Sequence, residues 1–181
     1  MTLHQCHTQP RATRGFTIIE LLIVIVIVSI LAVIAVPSYQ EYVKRTQRTV
    51  AKAALQELMS RQESYAVDHK GYAADFERLG IGSTSSAAID IAYVNGDGTI
   101  SRSNTNALYS LALHQSPAGT PMSASCASLS SAGPTITATA FSVSATPLRS
   151  GGDSRCGVLC ASSRGERGAA GTGGVADCWR S

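Results

Sequence analysis

From Leu21 to Val36 the chain runs sixteen residues with one polar interruption, Ser29. Nothing else in the sequence restricts the fold as much, because such a stretch prefers hydrocarbon to water whatever surrounds it. Taken from Phe16, the run is 21 residues. As a helix it would be about 31 Å long, close to the thickness of a bilayer's hydrocarbon core. One carboxylate, Glu20, sits near its start. An ionisable group in a membrane segment costs roughly 2.5 to 3.5 kcal/mol on insertion scales, so it is read as a functional group with a partner. Residues 1–15 carry Arg11 and Arg14 and no acid, and read as a short basic leader whose side of the membrane is cytoplasmic.

The helical pattern does not stop with the apolar run. Val43, Val50, Ala54, Leu58 and Tyr65 recur at spacings of seven and four, while Lys44, Arg45, Arg48, Lys52, Glu57 and Arg61 fall largely on other faces. One helix is therefore expected from Phe16 to about Val67. Pro37 interrupts it, lacking an amide hydrogen and crowding the Val33 carbonyl, and predicts a kink or a weakened turn. The first half is an all-round apolar anchor, and the second half carries a single stripe that needs a sheet to cover it.

After Gly71 the pattern changes to a loop over 68–87 and then to strands. The runs are Ala88 to Val94, Ala107 to His114 and Ile136 to Leu148, with an Asn-Gly-Asp-Gly turn at Asn95 to Gly98. Alternation is clear in the Leu108 to His114 segment, so one face of the sheet is buried and the other wet. Ser116 to Pro134 reads as an extended loop carrying Cys126, and the Gly-rich tail from Gly151 reads as loop. Of five cysteines, Cys126, Cys156, Cys160 and Cys178 lie in the last third, which suits an oxidising compartment. No CxxC pair occurs and no histidine neighbours that cluster, so a metal site is not expected.

The stretch RGFTIIELLIVIVIVSILAVIAVPSYQEYVKR resembles a type IV prepilin: basic leader, Gly15, Phe16, Glu20, apolar helix and Pro37 fall in the family's order. The segments RQESYAVDHKGYAADFERLG (61–80) and CGVLCASSRGERGAAGTGGVADCWR (156–180) resemble minor pilins of the PilE type. The resemblance implies an α+β pilin fold, a long N-terminal helix on an antiparallel sheet with a disulfide-bounded C-terminal loop. It divides the chain into a cleaved leader (1–15), a membrane or filament-core helix (16–36) and a globular domain (37–181) whose sheet covers 88–148 and whose C-terminal region covers 149–181. It also implies cleavage by a prepilin peptidase between Gly15 and Phe16, methylation of the new Phe16 amine, and a periplasmic globular domain anchored in the inner membrane until assembly machinery lifts it into a cell-surface pilus. The partners so implied are other pilins, the peptidase and the assembly machinery, in a filament serving twitching motility, adhesion and surface attachment.

On the same resemblance, Glu20 pairs with the Phe16 amine of a neighbouring subunit. The local alternative is a carboxylate in the first helical turn, where the macrodipole favours it by roughly 0.3 to 1 kcal/mol. Cys156 and Cys178 match the family's pair, whose closed loop of about 23 residues would gain roughly 3 kcal/mol. Cys160 departs from the family, and with Ala161 and Arg164 suggests a poorly buried local strand. Four cysteines leave three connectivities open; Cys126 with Cys160 is the second bridge favoured here, and two free thiols are the alternative.

Three other readings compete. An ordinary signal peptide could end at Val33-Ile34-Ala35, which would leave Glu20 and the resumed stripe without a purpose. A pseudopilin of a type II secretion system shares the leader, Glu20 and the helix. A DNA-binding competence pilin would need a basic strip, yet Lys70, Arg78, Arg102, Arg149, Arg155, Arg164, Arg167 and Arg180 are dispersed in sequence. The net charge of +3 falls to +1 without the leader, 13 basic against 12 acidic residues, so nucleic acid is not an expected partner. No histidine lies at a telling distance from an acid, so neither an enzyme nor a cofactor is expected.

Overall fold

A computed structural model describes residues 15–82, 90–116, 122–127, 129, 140–148 and 152–180. Two compact units meet at Tyr42 and Val43, and the first helix, α1 (Ile18–His69), is continuous through that boundary and through Pro37.

In the first unit every side chain from Phe16 to Val36 is exposed, and the segment is long and apolar enough to cross a membrane. An all-round apolar helix needs lipid or other helices as its surroundings. Its two serines do not break this rule. Ser29 Oγ donates to the Ile25 carbonyl (2.7 Å) and Ser38 Oγ to the Ile34 carbonyl (3.2 Å), so both hydroxyls are satisfied within the helix.

In the second unit α1 buries Arg48, Ala51, Leu55, Leu58 and Gln62, a face at alternating spacings of three and four. Val43, Val50 and Tyr65, which the apolar periodicity placed on the stripe, are half-buried at its margin. Gln62 earns its buried place through a two-way bond to Ala73, Nε2 to the carbonyl (2.9 Å) and Oε1 from the amide (2.8 Å). The helix ends where Lys70 takes φ 57°, a left-handed residue whose amide bonds back to Ala66 (2.9 Å).

Among the described residues six antiparallel strands form one sheet: β1 (Ile91–Asn95), β2 (Ile100–Ser101), β3 (Ala107–Ser116), β4 (Ala140–Pro147), β5 (Leu159–Ser162) and β6 (Arg167–Ala169), in spatial order β2-β1-β3-β4-β5-β6. A short helix, α2 (Gly174–Trp179), follows. The second half of α1 covers one face of the sheet, and Leu55, Leu58, Ala92, Val94, Leu111, Phe141, Val143 and Leu159 fill the core.

The structure corrects the reading of the tail as loop. Residues after Gly151 contribute β5, β6 and α2. Their strands are too short and too rich in small residues to show alternation. The expected poor burial around Cys160 and Ala161 is also corrected: all four residues of β5 are buried, because β5 is an inner strand between β4 and β6. The Asn95 to Gly98 turn is present and leads into β2, which the sequence reading did not separate. The expected strand starts at Ala88 and Ile136, and most of the Ser116 to Pro134 loop, lie outside the described residues.

Ser142, Ser144, Cys160 and Ser162 point to the sheet face away from α1, yet they are buried. The segment 122–127 lies over them. Ala124 accepts a hydrogen bond from the Ala169 amide (2.8 Å), Glu166 accepts one from the Met122 amide (3.0 Å), and Cys126 is bonded to Cys160. A row of small side chains is what allows a loop to lie this close to a sheet.

Candidate assembly and interaction sites

Gly15, Phe16 and Thr17 precede α1, so the Gly15–Phe16 peptide lies outside the helix. Thr17 caps it: its Oγ1 accepts the Glu20 amide at 3.3 Å. Thr17 and Glu20 have the spacing of a capping box, and Glu20 is the acidic residue of the first turn. Locally, then, Glu20 supports the start of the helix. Its side chain is exposed, which leaves the carboxylate available to a partner.

Two disulfides hold the other end of the chain. Cys126 joins Cys160, with Cα atoms 6.0 Å apart, and Cys156 joins Cys178, at 5.5 Å. Gly168 faces the first of these. A Cβ there would lie 2.6 Å from Cys160 Sγ, 2.9 Å from the Ala124 carbonyl and 3.0 Å from Cys126 Sγ, so only glycine fits. Gly171 is similarly confined, since a Cβ would collide with the Arg155 backbone.

Between α1 and this tail lies a buried ion pair. Arg48 grips Asp153 with a two-pronged contact, Nε to Oδ2 and Nη2 to Oδ1 (2.8 Å), and both residues are under 10 % exposed. Asp153 also accepts the Cys156 amide (3.3 Å), so one side chain links helix, tail and disulfide. Tyr109 packs nearby in the core, and burial, with the Asp153 charge second, pushes its hydroxyl up to about 12. Nothing along the chain signals this pair, since by position Arg48 reads as an exposed helix residue and Asp153 as part of a loop.

The fold also gathers basic residues that are far apart in sequence. Lys52 on α1 donates to the Arg180 carbonyl (3.0 Å), just past α2, and Arg167 at the start of β6 stacks over Trp179, 5.1 Å from the ring centroid. Burial and then the charges of Arg48 and Arg167 lower the Lys52 pKa. Arg155 is matched by Asp177, Nε to Oδ2 at 2.6 Å, and that bond holds the Asp177 carboxyl below its usual range. Among the described residues no group of three or more histidines, cysteines or acids could hold a metal ion.

The family model of the type IV minor pilin ComP, a DNA uptake sequence receptor, matches residues 37–160, more than half of the chain. The chain belongs to this minor pilin family. A second model, the prokaryotic N-terminal methylation motif, matches residues 10–36. No curated protein matches the chain. The α+β fold, with a long helix on a six-stranded antiparallel sheet and two paired sets of cysteines, is the type IV pilin fold, and the protein is a structural pilin rather than an enzyme. The methylation motif together with the apolar helix makes it membrane-anchored before pilus assembly.

Proposed function

We propose that this minor pilin is cut between Gly15 and Phe16, methylated on the Phe16 amine, held in the inner membrane with its globular part in the periplasm, and then drawn into a type IV pilus by the assembly machinery. Support comes from the match to the methylation motif directly ahead of an exposed apolar helix. Within the filament, Glu20 meets the Phe16 amine of a neighbouring subunit. A carboxylate that only capped its own helix could equally stand outside the apolar run. Two charges leaving water together must pair well to offset desolvation, so the contact favours one axial register over others. Pro37 leaves the Val33 carbonyl without its usual helical donor, a local loosening between the apolar half of α1 and the half that packs on the sheet.

Incorporation into the pilus serves DNA uptake. The observation that carries this reading is the match over 37–160 to a model described as a DNA uptake sequence receptor. The roles in twitching motility, adhesion and surface attachment implied by the resemblance rest on filament membership alone, and they stand second. Mass spectrometry of sheared pili tests the first step: a methyl-Phe16 terminus is expected, and a start at Val36 would return the chain to the signal-peptide reading. Deleting the chain from a piliated host should abolish DNA uptake while leaving twitching largely intact. The reverse pattern would overturn the DNA reading in favour of the motility one.

A further inference from the structure

We propose that Tyr39 and Tyr42 seat in the lipid headgroup layer, on the side of the membrane away from Phe16, and set the resting height of α1 in the bilayer. The inference rests on the membrane-anchored reading above and adds what holds the helix at one depth.

Both tyrosines are 69 % exposed. They stand three residues apart within α1, so they share one face of it. They follow directly on the apolar run, three and six residues beyond Val36, and the residues between them, Gln40 and Glu41, are too polar for hydrocarbon. Tyrosine suits such a boundary, because its ring is apolar and its hydroxyl seeks a hydrogen bond, and the headgroup layer satisfies both. Continuity with the membrane segment makes lipid the occupant of this face.

The heights follow from helix geometry. With the apolar run filling a hydrocarbon layer about 30 Å thick and Val36 at its edge, a rise of about 1.5 Å per residue puts the Tyr39 Cα about 4.5 Å and the Tyr42 Cα about 9 Å outside that edge. The headgroup layer on each side is about 5 to 7 Å deep. Helical side chains slope towards the helix N-terminus, which here is the membrane side, so both rings lean back into that layer. On the same scale Glu20 lies about 24 Å from Val36, hence about 6 Å inside the opposite edge. Two copies resting at one height hold Glu20 and the neighbour's Phe16 amine at depths that differ by up to about 6 Å. Their pairing therefore needs one copy to rise, and a lift of that size draws Tyr42 clear of the headgroups. The two rings resist this first step out of the bilayer until the opposed charges meet.

The test uses the full chain in vesicles of phosphatidylcholine and phosphatidylglycerol, with Arg11→Gln and Arg14→Gln in every sample so that the leader's charges do not hold the helix. Fluorine NMR of the 3-fluorotyrosine-labelled chain resolves Tyr39 and Tyr42, each assigned by its replacement with phenylalanine. A nitroxide on the lipid headgroup should erase both signals, and a nitroxide at the end of the acyl chain should spare them. Height is read separately at Phe16 after labelling with 4-fluorophenylalanine, since the other two phenylalanines, Phe76 and Phe141, are buried in the core. In Tyr39→Ala with Tyr42→Ala the helix should ride outwards, so that the chain-end nitroxide erases more of the Phe16 signal than in the parent. Tyr39→Trp with Tyr42→Trp, which restores rings suited to the interface, should keep the parental pattern. If Phe16 responds to the lipid labels while Tyr39 and Tyr42 respond to neither, or chiefly to the chain-end label, the proposal fails and the anchored reading stands. If none of the three responds, both fall. An unchanged Phe16 in the double alanine variant would make the tyrosines passengers, which also overturns the proposal.

Discussion

Removing the Asp153 carboxylate should be among the most damaging single changes in the globular unit. Arg48 is 8 % and Asp153 6 % exposed, so Asp153→Ala removes the two-pronged carboxylate partner of a buried guanidinium and deprives the Cys156 amide of one acceptor. Breaking one side of a buried pair costs about 3 to 5 kcal/mol, mainly because the remaining charge has lost its compensation. At roughly 2 to 4 °C per kcal/mol for a protein of this size, the thermal midpoint should fall by about 6 to 20 °C. Replacing both partners, as in Arg48→Met with Asp153→Ala, removes the buried charge as well and should recover much of the loss. The assay is thermal unfolding of the oxidised, detergent-solubilised chain by circular dichroism, with both single variants and the double variant closing a thermodynamic cycle. A single variant within about 1 kcal/mol of the parent, or a cycle with no coupling, would show that water reaches the pair and that the link between helix and tail is not electrostatic.

Further outcomes follow from the same structure. Gly168→Ala should lose about 1 to 3 kcal/mol by overpacking and leave Cys126 partly as a free thiol on non-reducing peptide mapping; full oxidation at the parental midpoint would contradict the close approach. Cys126→Ser with Cys160→Ser should cost about 4 kcal/mol in the chain-entropy model and speed hydrogen exchange at the Ala169 amide, whose acceptor is Ala124; unchanged protection there would mean that the loop holds without its staple. The stability tied to Tyr109 is fully present below the ordinary tyrosine value of about 10 and is lost as pH rises towards about 12. Absorbance titration should therefore show one late phenol, and Tyr109→Phe should flatten the alkaline loss; an equally steep loss would place its cause elsewhere. Glu20→Ala should leave leader cleavage and membrane insertion intact but reduce entry into pili, and wild-type levels in sheared pili would remove the pairing role.

What the sequence revealed depended on whether a residue's neighbours in the chain were also its neighbours in space. The apolar half of α1 is legible because its surroundings are set by composition alone. Val50, Ala54 and Leu58 marked the sheet-facing side, but the buried face also takes Arg48 and Gln62. Polarity hid these two, since the groups that satisfy them, Asp153 and the Ala73 backbone, come from distant segments. β5 and β6 escaped notice for a related reason. In Leu159 to Ser162 and Arg167 to Ala169 the positions under the crossing loop, Cys160, Ser162 and Gly168, are small and covered, so the alternation that marks a half-wet strand never develops. The basic residues looked dispersed along the chain, and only the return of α2 against α1 brings Arg180 to Lys52.

The order of the bridged cysteines has a mechanical consequence. The two bonds interlock, because Cys156 lies inside the span from Cys126 to Cys160 and Cys160 inside the span from Cys156 to Cys178. Tension entering at Cys126 passes straight to Cys160, travels four residues back to Cys156 and leaves at Cys178. The other 48 of the 52 steps between the outermost sulfurs carry no load. At about 3.4 Å per step, roughly 160 Å of contour stays reeled in. A pilin dragged by its cargo would stretch through its earlier strands, while the C-terminal part, Arg167 and Trp179 among it, kept its shape under pull.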